Sequence, residues 1–213
     1  MARYTGPKCR LCRAERAKLF LKGQRCTSAH CPMNNPSECG LPGRDPRARS
    51  RKPTDYGMML REKQKMKRLY CMLEKQFYIT FQEAARLPGK TGESLIKLLE
   101  CRLDNIVFRM HYASSRAQAA QLVNHGHIFV NGKRVDIPSC RLKVGDVVTL
   151  SPKAQKMALI KDNLAELSKN GTVPWITLDV DAMKGTFNAI PQRSEVKELE
   201  NINEQLVVEL YSR

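Results

Sequence analysis

Apolar positions along the chain follow two periods, and the switch between them outlines a small module. Leu103, Ile106, Val107 and Met110 recur at the spacing of an amphipathic helix, with Arg102, Asn105 and Arg109 on its other side. His111 to Ser114 interrupt the pattern. Ser115 with Gln118 three residues on is a capping-box start for a second helix, whose apolar side is Ala119, Leu122 and Val123. Gly126 is placed to end it in a left-handed conformation. The period then changes to alternation. Asn131-Gly132 between His127-Ile128-Phe129-Val130 and Lys133-Arg134-Val135-Asp136-Ile137 predicts a hairpin, because both turn residues must take positive φ. Gly145-Asp146 turns the chain into a further strand, 147–150.

On either side the pattern is mostly helical. Thr54 or Asp55 caps a long stretch with apolar Met58, Met59, Met66, Leu69, Tyr70, Leu73, Phe77 and Phe81, ended by Pro88-Gly89. A short helix over 93–101 turns Leu95, Leu98 and Leu99 inward. Downstream, Ser151-Pro152 starts a helix that runs to about Ser168 and stops near Gly171. Residues 175–179 alternate like a strand, and 183–190, with Gly185, read as irregular or edge structure. Residues 203–211 are either a helix capped by Asn203 or a strand; the short helix is preferred. The expected fold class is α+β, helices packed on a small antiparallel sheet.

Charge changes the picture. Residues 1–100 hold 22 Lys and Arg against 9 acids, whereas residues 101–213 hold 15 against 12. A basic excess gathered at one end recruits polyanions, and each neutralised phosphate releases counterions. Nucleic acid is the leading partner and an acidic membrane surface the runner-up. No Trp- or Phe-rich amphipathic helix supports a membrane, and no run of apolar residues is long enough to span one. The start, Met1-Ala2-Arg3-Tyr4, has no apolar signal core, so a reducing cytosol or an organelle interior is expected. The dense cations Arg61, Lys63, Lys65, Lys67 and Arg68 face only one acid, Glu62, between Met58 and Leu73, which favours a phosphate-facing side over a merely solvated one. The Pro-, Gly- and Arg-rich run over 32–53 reads as an extended arm that orders on a phosphate backbone, in preference to a disordered linker.

Eight cysteines in a reducing compartment point to free thiols or metal ligands rather than a disulfide framework. Cys9 and Cys12, then Cys26 and Cys31, form two close pairs whose thiolates could close a tetrahedron around one structural Zn2+. His30 or Cys39 could replace one ligand. Lys8, Arg10, Arg13 and Arg25 could offset the site's negative charge. Metal is expected to fold a segment with few other apolar anchors.

Catalysis finds little support. The chain has no G-x-S-x-G, no H-E-x-x-H and no carboxylate pair in an apolar setting. Gly89-Lys90-Thr91 is not a nucleotide loop, because position 84 is Ala where the motif needs Gly. Arg102-Leu103-Asp104 looks like the tripeptide of RNA pseudouridine synthases, but nothing here supplies their catalytic domain, and a helix-surface Asp104 is the plainer reading. No catalytic residue is expected.

Several stretches together resemble one family. They are Ala2-Arg3-Tyr4-Thr5-Gly6-Pro7, Cys9-Arg10-Leu11-Cys12, Asp55-Tyr56-Gly57, Leu60-Arg61-Glu62-Lys63-Gln64-Lys65, Arg102-Leu103-Asp104-Asn105, Ser115-Arg116-Ala117-Gln118-Ala119, Val130-Asn131-Gly132 and Asn203-Glu204-Gln205-Leu206. In order and spacing the chain is similar to the small-subunit ribosomal protein number four family of bacteria and organelles, in its zinc-binding form. The loop Cys39-Gly40-Leu41-Pro42-Gly43 departs from that family's Pro-Pro-Gly followed by His. The resemblance implies a structural protein that binds small-subunit rRNA at a junction of its 5′ domain and nucleates assembly of the subunit body. It also implies contact with small-subunit protein number five, a place on the path by which messenger enters, and an influence on decoding accuracy. It implies three parts: a zinc segment and arm over 1–50, a helical domain of 51–96 with 175–213, and an RNA-binding module over 97–174. On that layout, RNA contacts are expected from Arg3, Arg10, Arg13, Arg47, Arg49, Arg51, Lys52, Tyr56, Arg61, Lys65 and Arg68. A second set is expected from Arg109, Arg116, Gln121, His125 and Lys133, although His125 is also simply a polar residue at a helix end.

Overall fold

The computed structural model describes residues 3–35, 39–43 and 52–212, and the side chains of all of these except 166–170. The chain divides into two units, Met1–Leu95 with Val196–Arg213, and Ile96–Glu195.

The first unit opens with helix α1, Lys8–Glu15, closed by Arg16 in the left-handed region at φ 52°, and with the single turn α2, Gln24–Thr27. Contrary to expectation this segment has an apolar anchor of its own. Cys12, Leu19, Leu21 and Met33 are buried together, with Leu11, Ala17, Cys31 and Cys39 packed against them. Helix α3, Asp55–Leu69, starts where the Thr54 hydroxyl accepts the Gly57 N–H at 3.1 Å. The expected single long helix is two. Cys71 takes φ 54° and the Met72 N–H closes back on the Lys67 carbonyl at 3.0 Å, after which α4 runs over Glu74–Arg86. Helix α5, Thr91–Glu100, leads into the second unit.

That unit contains the module foreseen from the sequence. Helices α6, Leu103–Arg109, and α7, Arg116–Asn124, pack against each other. The Ser115 hydroxyl accepts the Gln118 N–H, and Gln118 Oε1 reaches back to the Ser114 N–H at 2.7 Å. This is a capping exchange displaced by one residue. Strands β1, Ile128–Val130, and β2, Lys133–Arg134, form the hairpin, with Asn131 at φ 49° and Gly132 at φ 78°. Strand β3 is Val147–Leu150. Helices α8, Pro152–Gln155, and α9, Ala158–Asn170, replace the one helix expected there. Ala154 and Ile160 are both fully buried. Six residues apart on an unbroken helix they would lie about 120° apart, and the break turns both inward.

Strands β4, Ile176–Asp179, and β5, Lys184–Phe187, complete an antiparallel sheet of order β2-β1-β3-β5-β4. Residues 184–187 are therefore an inner strand, not an edge. Gly185 lies opposite Val148, and a Cβ there would run into the Met110 side chain, so the glycine lets this strand close over the core. Residues 175–195 thus join this unit instead of the helices of 51–96. Pairing with β5 covers the edge that β3 would otherwise leave open.

The last helix, α10, Glu204–Ser212, returns to the first unit and packs on α3. Its Tyr211 ring sits 4.7 Å from Phe81, and its hydroxyl donates to Glu74 Oε1 at 2.9 Å. The turn between α3 and α4 brings Glu74 back to Lys63 and Lys67, forming one polar cluster beside that ring.

Candidate nucleic-acid interface

The basic residues of the second unit separate into an interior frame and an outer face. Glu100 is fully buried. Its Oε2 accepts from Asn105 Nδ2 at 2.7 Å and Arg109 Nε at 3.2 Å, and its Oε1 accepts from Arg109 Nη2 at 3.0 Å. Asn105 Oδ1 in turn accepts from Arg116 Nε at 2.8 Å, and the Arg116 guanidinium lies 4.6 Å over the Phe108 ring. Arg102 holds Asp104 with two bonds, at 3.1 and 2.7 Å. Arg109 and Arg116 are 9% and 5% exposed, so neither presents a surface guanidinium to a phosphate. The expectation of direct RNA contact at these two residues is corrected by their burial. A guanidinium inside an apolar core must be paired, and the carboxylate and amide that pair it come from α5 and α6. Asp104 is likewise interior rather than on the helix surface.

The outer face is built on what this frame fixes. The start of α6 holds the loop after the hairpin: Leu103 N–H donates to Cys140 O at 2.7 Å, Asp104 N–H to Pro138 O at 3.1 Å, and Leu142 N–H to Cys101 O at 2.9 Å. Asp146 Oδ2 accepts the Lys143 N–H at 2.7 Å, so Arg141 and Lys143 sit on a tied loop and both are exposed. Gln121, His125 and Lys133 are exposed, as a contact role requires. Gly126, at φ 70°, lies directly beneath the Arg134 guanidinium, where a Cβ would collide with it. Sequence reasoning grouped Arg134 with the module's cations that could face phosphates, but it did not single out the exposed Arg141 and Lys143. The turns at Asn131-Gly132 and Gly145-Asp146, which it did find, were the signal for them.

In the first unit Arg3, Arg10, Lys52 and Tyr56 are exposed, whereas Arg13 is half-buried with its Nε lacking a partner among the described residues. Lys65 pairs with Glu62 at 2.6 Å. Arg61 and Arg68 both bond Glu15 Oε1, Arg61 at 3.4 Å. Burial pushes the Glu15 carboxyl up, and the two arginines pull against that. Arg47, Arg49 and Arg51 lie outside the described residues.

The four paired cysteines share one neighbourhood. Burial pushes the Cys12 thiol up, a backbone hydrogen bond at Leu19 opposes this, and Cys26, Cys9 and Cys31 add to the rise. Cys26 Sγ accepts the Lys22 N–H at 3.4 Å. Four sulfur donors suit zinc. Among the described residues no three or more His, Cys, Asp or Glu come together as a metal-holding set.

Residues 3–100 match the family described as "Ribosomal protein S4/S9 N-terminal domain", and residues 101–148 match the "S4 domain". The chain is 48% identical over 213 residues, the whole of both chains, to the small ribosomal subunit protein uS4 of Thermus thermophilus. It belongs to the uS4 family. Other uS4 relatives are those of Pelobacter propionicus, 50% identical over 213 residues, and of a Thermoanaerobacter species, 52% identical over 214, again across the full length of both chains. The uS4 proteins are structural, non-enzymatic constituents of the small ribosomal subunit. The S4 domain match takes in the hairpin, the tied loop and all of the interior frame except Glu100, which is the last residue of the preceding match. Among the described residues no helix is long and apolar enough to cross a membrane.

Proposed function

We propose that this uS4-family chain is a primary binder of small-subunit rRNA. It docks at the junction of the 5′ domain, nucleates assembly of the subunit body and works in the cytoplasm inside the small subunit. It touches small-subunit protein number five, borders the path by which messenger enters, and through these contacts influences decoding accuracy. The observation that carries the reading is the end-to-end likeness to uS4 proteins. The physics is supplied by exposed cations on each unit: Arg3, Arg10, Lys52 and Arg61 on the first, Lys133, Arg134, Arg141 and Lys143 on the second. Such groups neutralise phosphates and fix orientation, while the folded shape of the RNA supplies selectivity.

Binding to a 5′-domain rRNA fragment should weaken steeply with salt. Removing one exposed cation, as in Lys133→Ala, should lower the slope of log affinity against log salt by roughly 0.7–0.9. An affinity indifferent to salt would refute the reading. So would recovery of the chain outside small subunits at moderate salt, the outcome expected of a regulator that binds messenger.

In the same reading Cys9, Cys12, Cys26 and Cys31 hold a structural zinc with no open position. The two matched pairs and their shared neighbourhood support it. Chain prepared under reducing conditions should carry about one zinc, and a chelator should loosen residues 1–40. Metal-free chain with an unchanged N-terminal segment would exclude zinc.

A further inference from the structure

Glu15 is an acid buried in the most basic part of the chain. It is 6% exposed, and its side chain is inaccessible to solvent. It stands at the end of α1 and reaches α3, where its Oε1 accepts from both Arg61 and Arg68. Those arginines are seven residues apart, two turns along one side of α3, so the carboxylate spans the face between them. Its other oxygen, Oε2, is buried with no hydrogen-bond partner among the described residues. As an anchor alone this is a poor arrangement. A buried acceptor left unmade is costly, and an apolar side chain of similar size would tie α1 to α3 with less loss.

The two arginines are not equivalent. The Arg68 side chain is 21% exposed, whereas that of Arg61 is 55% exposed, so Arg61 gives one edge to Glu15 and leaves much of the rest to solvent. A guanidinium is planar, with donors on more than one edge, and one edge can be held while another meets a phosphate. We propose that Glu15 is a positioning residue for RNA binding, an internal carboxylate that holds Arg61 in the orientation in which its outer edge meets a backbone phosphate. The proposal rests on the rRNA-binding reading above. Its physical content is preorganisation: a long side chain fixed before binding does not have to be ordered by the RNA.

Simple electrostatics predicts the opposite sign, which makes the idea testable. Glu15→Gln raises the net charge by one and so should strengthen attraction to any polyanion. Positioning predicts that the full-length Glu15→Gln chain binds the 5′-domain rRNA fragment about 3- to 10-fold more weakly, the cost of ordering one such side chain. Its affinity for a single-stranded homopolymer RNA should be unchanged or higher. In an Arg61→Ala background the same substitution should change fragment binding by less than about twofold, since the group it positions is gone. Parent-like or tighter fragment binding by Glu15→Gln overturns the proposal. So does an equal loss in the Arg61→Ala background, which would make Glu15 a structural anchor only. If Glu15→Gln does not fold, Arg61→Lys reports instead. It keeps the charge but loses the fork, and parent-like fragment affinity would overturn the proposal. A parent chain that ignores the fragment would refute the rRNA reading itself, a result distinct from any of these.

Discussion

Glu100→Gln probes whether the interior charges of the second unit are scaffold. Glutamine keeps the size and one acceptor oxygen but removes the charge that faces Arg109 at 3.0 and 3.2 Å. Arg109 stays where it is, 9% exposed and 5.9 Å from the Trp175 ring, as a buried cation without its carboxylate. Breaking a buried pair from one side costs about 3–5 kcal/mol. In a unit of this size each kcal/mol moves the melting temperature by about 4–8 °C, so the drop should be at least about 12 °C. Trp175 is the only tryptophan and lies in this unit, so its fluorescence during heating of the full chain reads the right part of the molecule. The paired replacement Glu100→Leu with Arg109→Met removes both charges together and should recover most of the loss. A Glu100→Gln chain that melts within about 2 °C of the parent would refute the reasoning, as would a double variant that falls as far as the single one.

Three other expectations follow from the same geometry. Burial alone would raise the Glu74 carboxyl, but hydrogen bonds from Lys63, Lys67 and Tyr211 outweigh it and hold the group at about 2, below the ordinary 4.5. Its contribution is present above about pH 4.5 and lost as pH falls toward 2, so α10 should loosen over that acid range, and Tyr211→Phe should move the loosening to higher pH; hydrogen exchange of residues 204–212 would show both. Gly126→Ala should destabilise the chain by about 1–2 kcal/mol in urea unfolding, because it puts a side chain at positive φ, whereas the exposed Arg134 guanidinium can swing aside; an unchanged midpoint would contradict the left-handed backbone. Cys101 is buried, with its thiol pushed up to about 11 first by burial and then by Glu100, whereas Cys71 is exposed; alkylation at pH 8 should therefore label Cys71 early and Cys101 only on unfolding, as peptide mass mapping over time would reveal.

Local chemistry made much of the second unit readable from the residues. Asn131-Gly132 has little choice but a tight turn with positive φ, and Ser115 with Gln118 has few better uses than a helix start. What failed depended on partners far along the chain. Nothing local distinguishes residues 184–187 from an edge; they become an inner strand because β3 needs a neighbour and Gly185 clears Met110. The break at Cys71 was hidden because the apolar spacing continues across it. Arg109 and Arg116 misled for a different reason. Arg is usually at the surface, and only the tertiary structure brings Glu100 and Asn105 around them.

That last mistake has a functional consequence. The most recognisable polar residues of the module, Arg102, Asp104, Asn105, Arg109 and Arg116, are spent inside it, on one another and on Glu100. The module's exposed cations Lys133, Arg134, Arg141 and Lys143 sit on turns and on the tied loop. The two groups should therefore respond differently to substitution. Arg116→Ala removes an interior donor and should lower the melting temperature; any loss of RNA affinity would follow the unfolded fraction, with the salt slope of the folded chain unchanged. Lys143→Ala removes an exposed cation and should leave the melting temperature within about 2 °C while reducing the salt slope by roughly 0.7–0.9. If instead Arg116→Ala reduced the slope without loss of stability, Arg116 would have to reach the RNA, and the separation of frame from face drawn from its burial would be wrong.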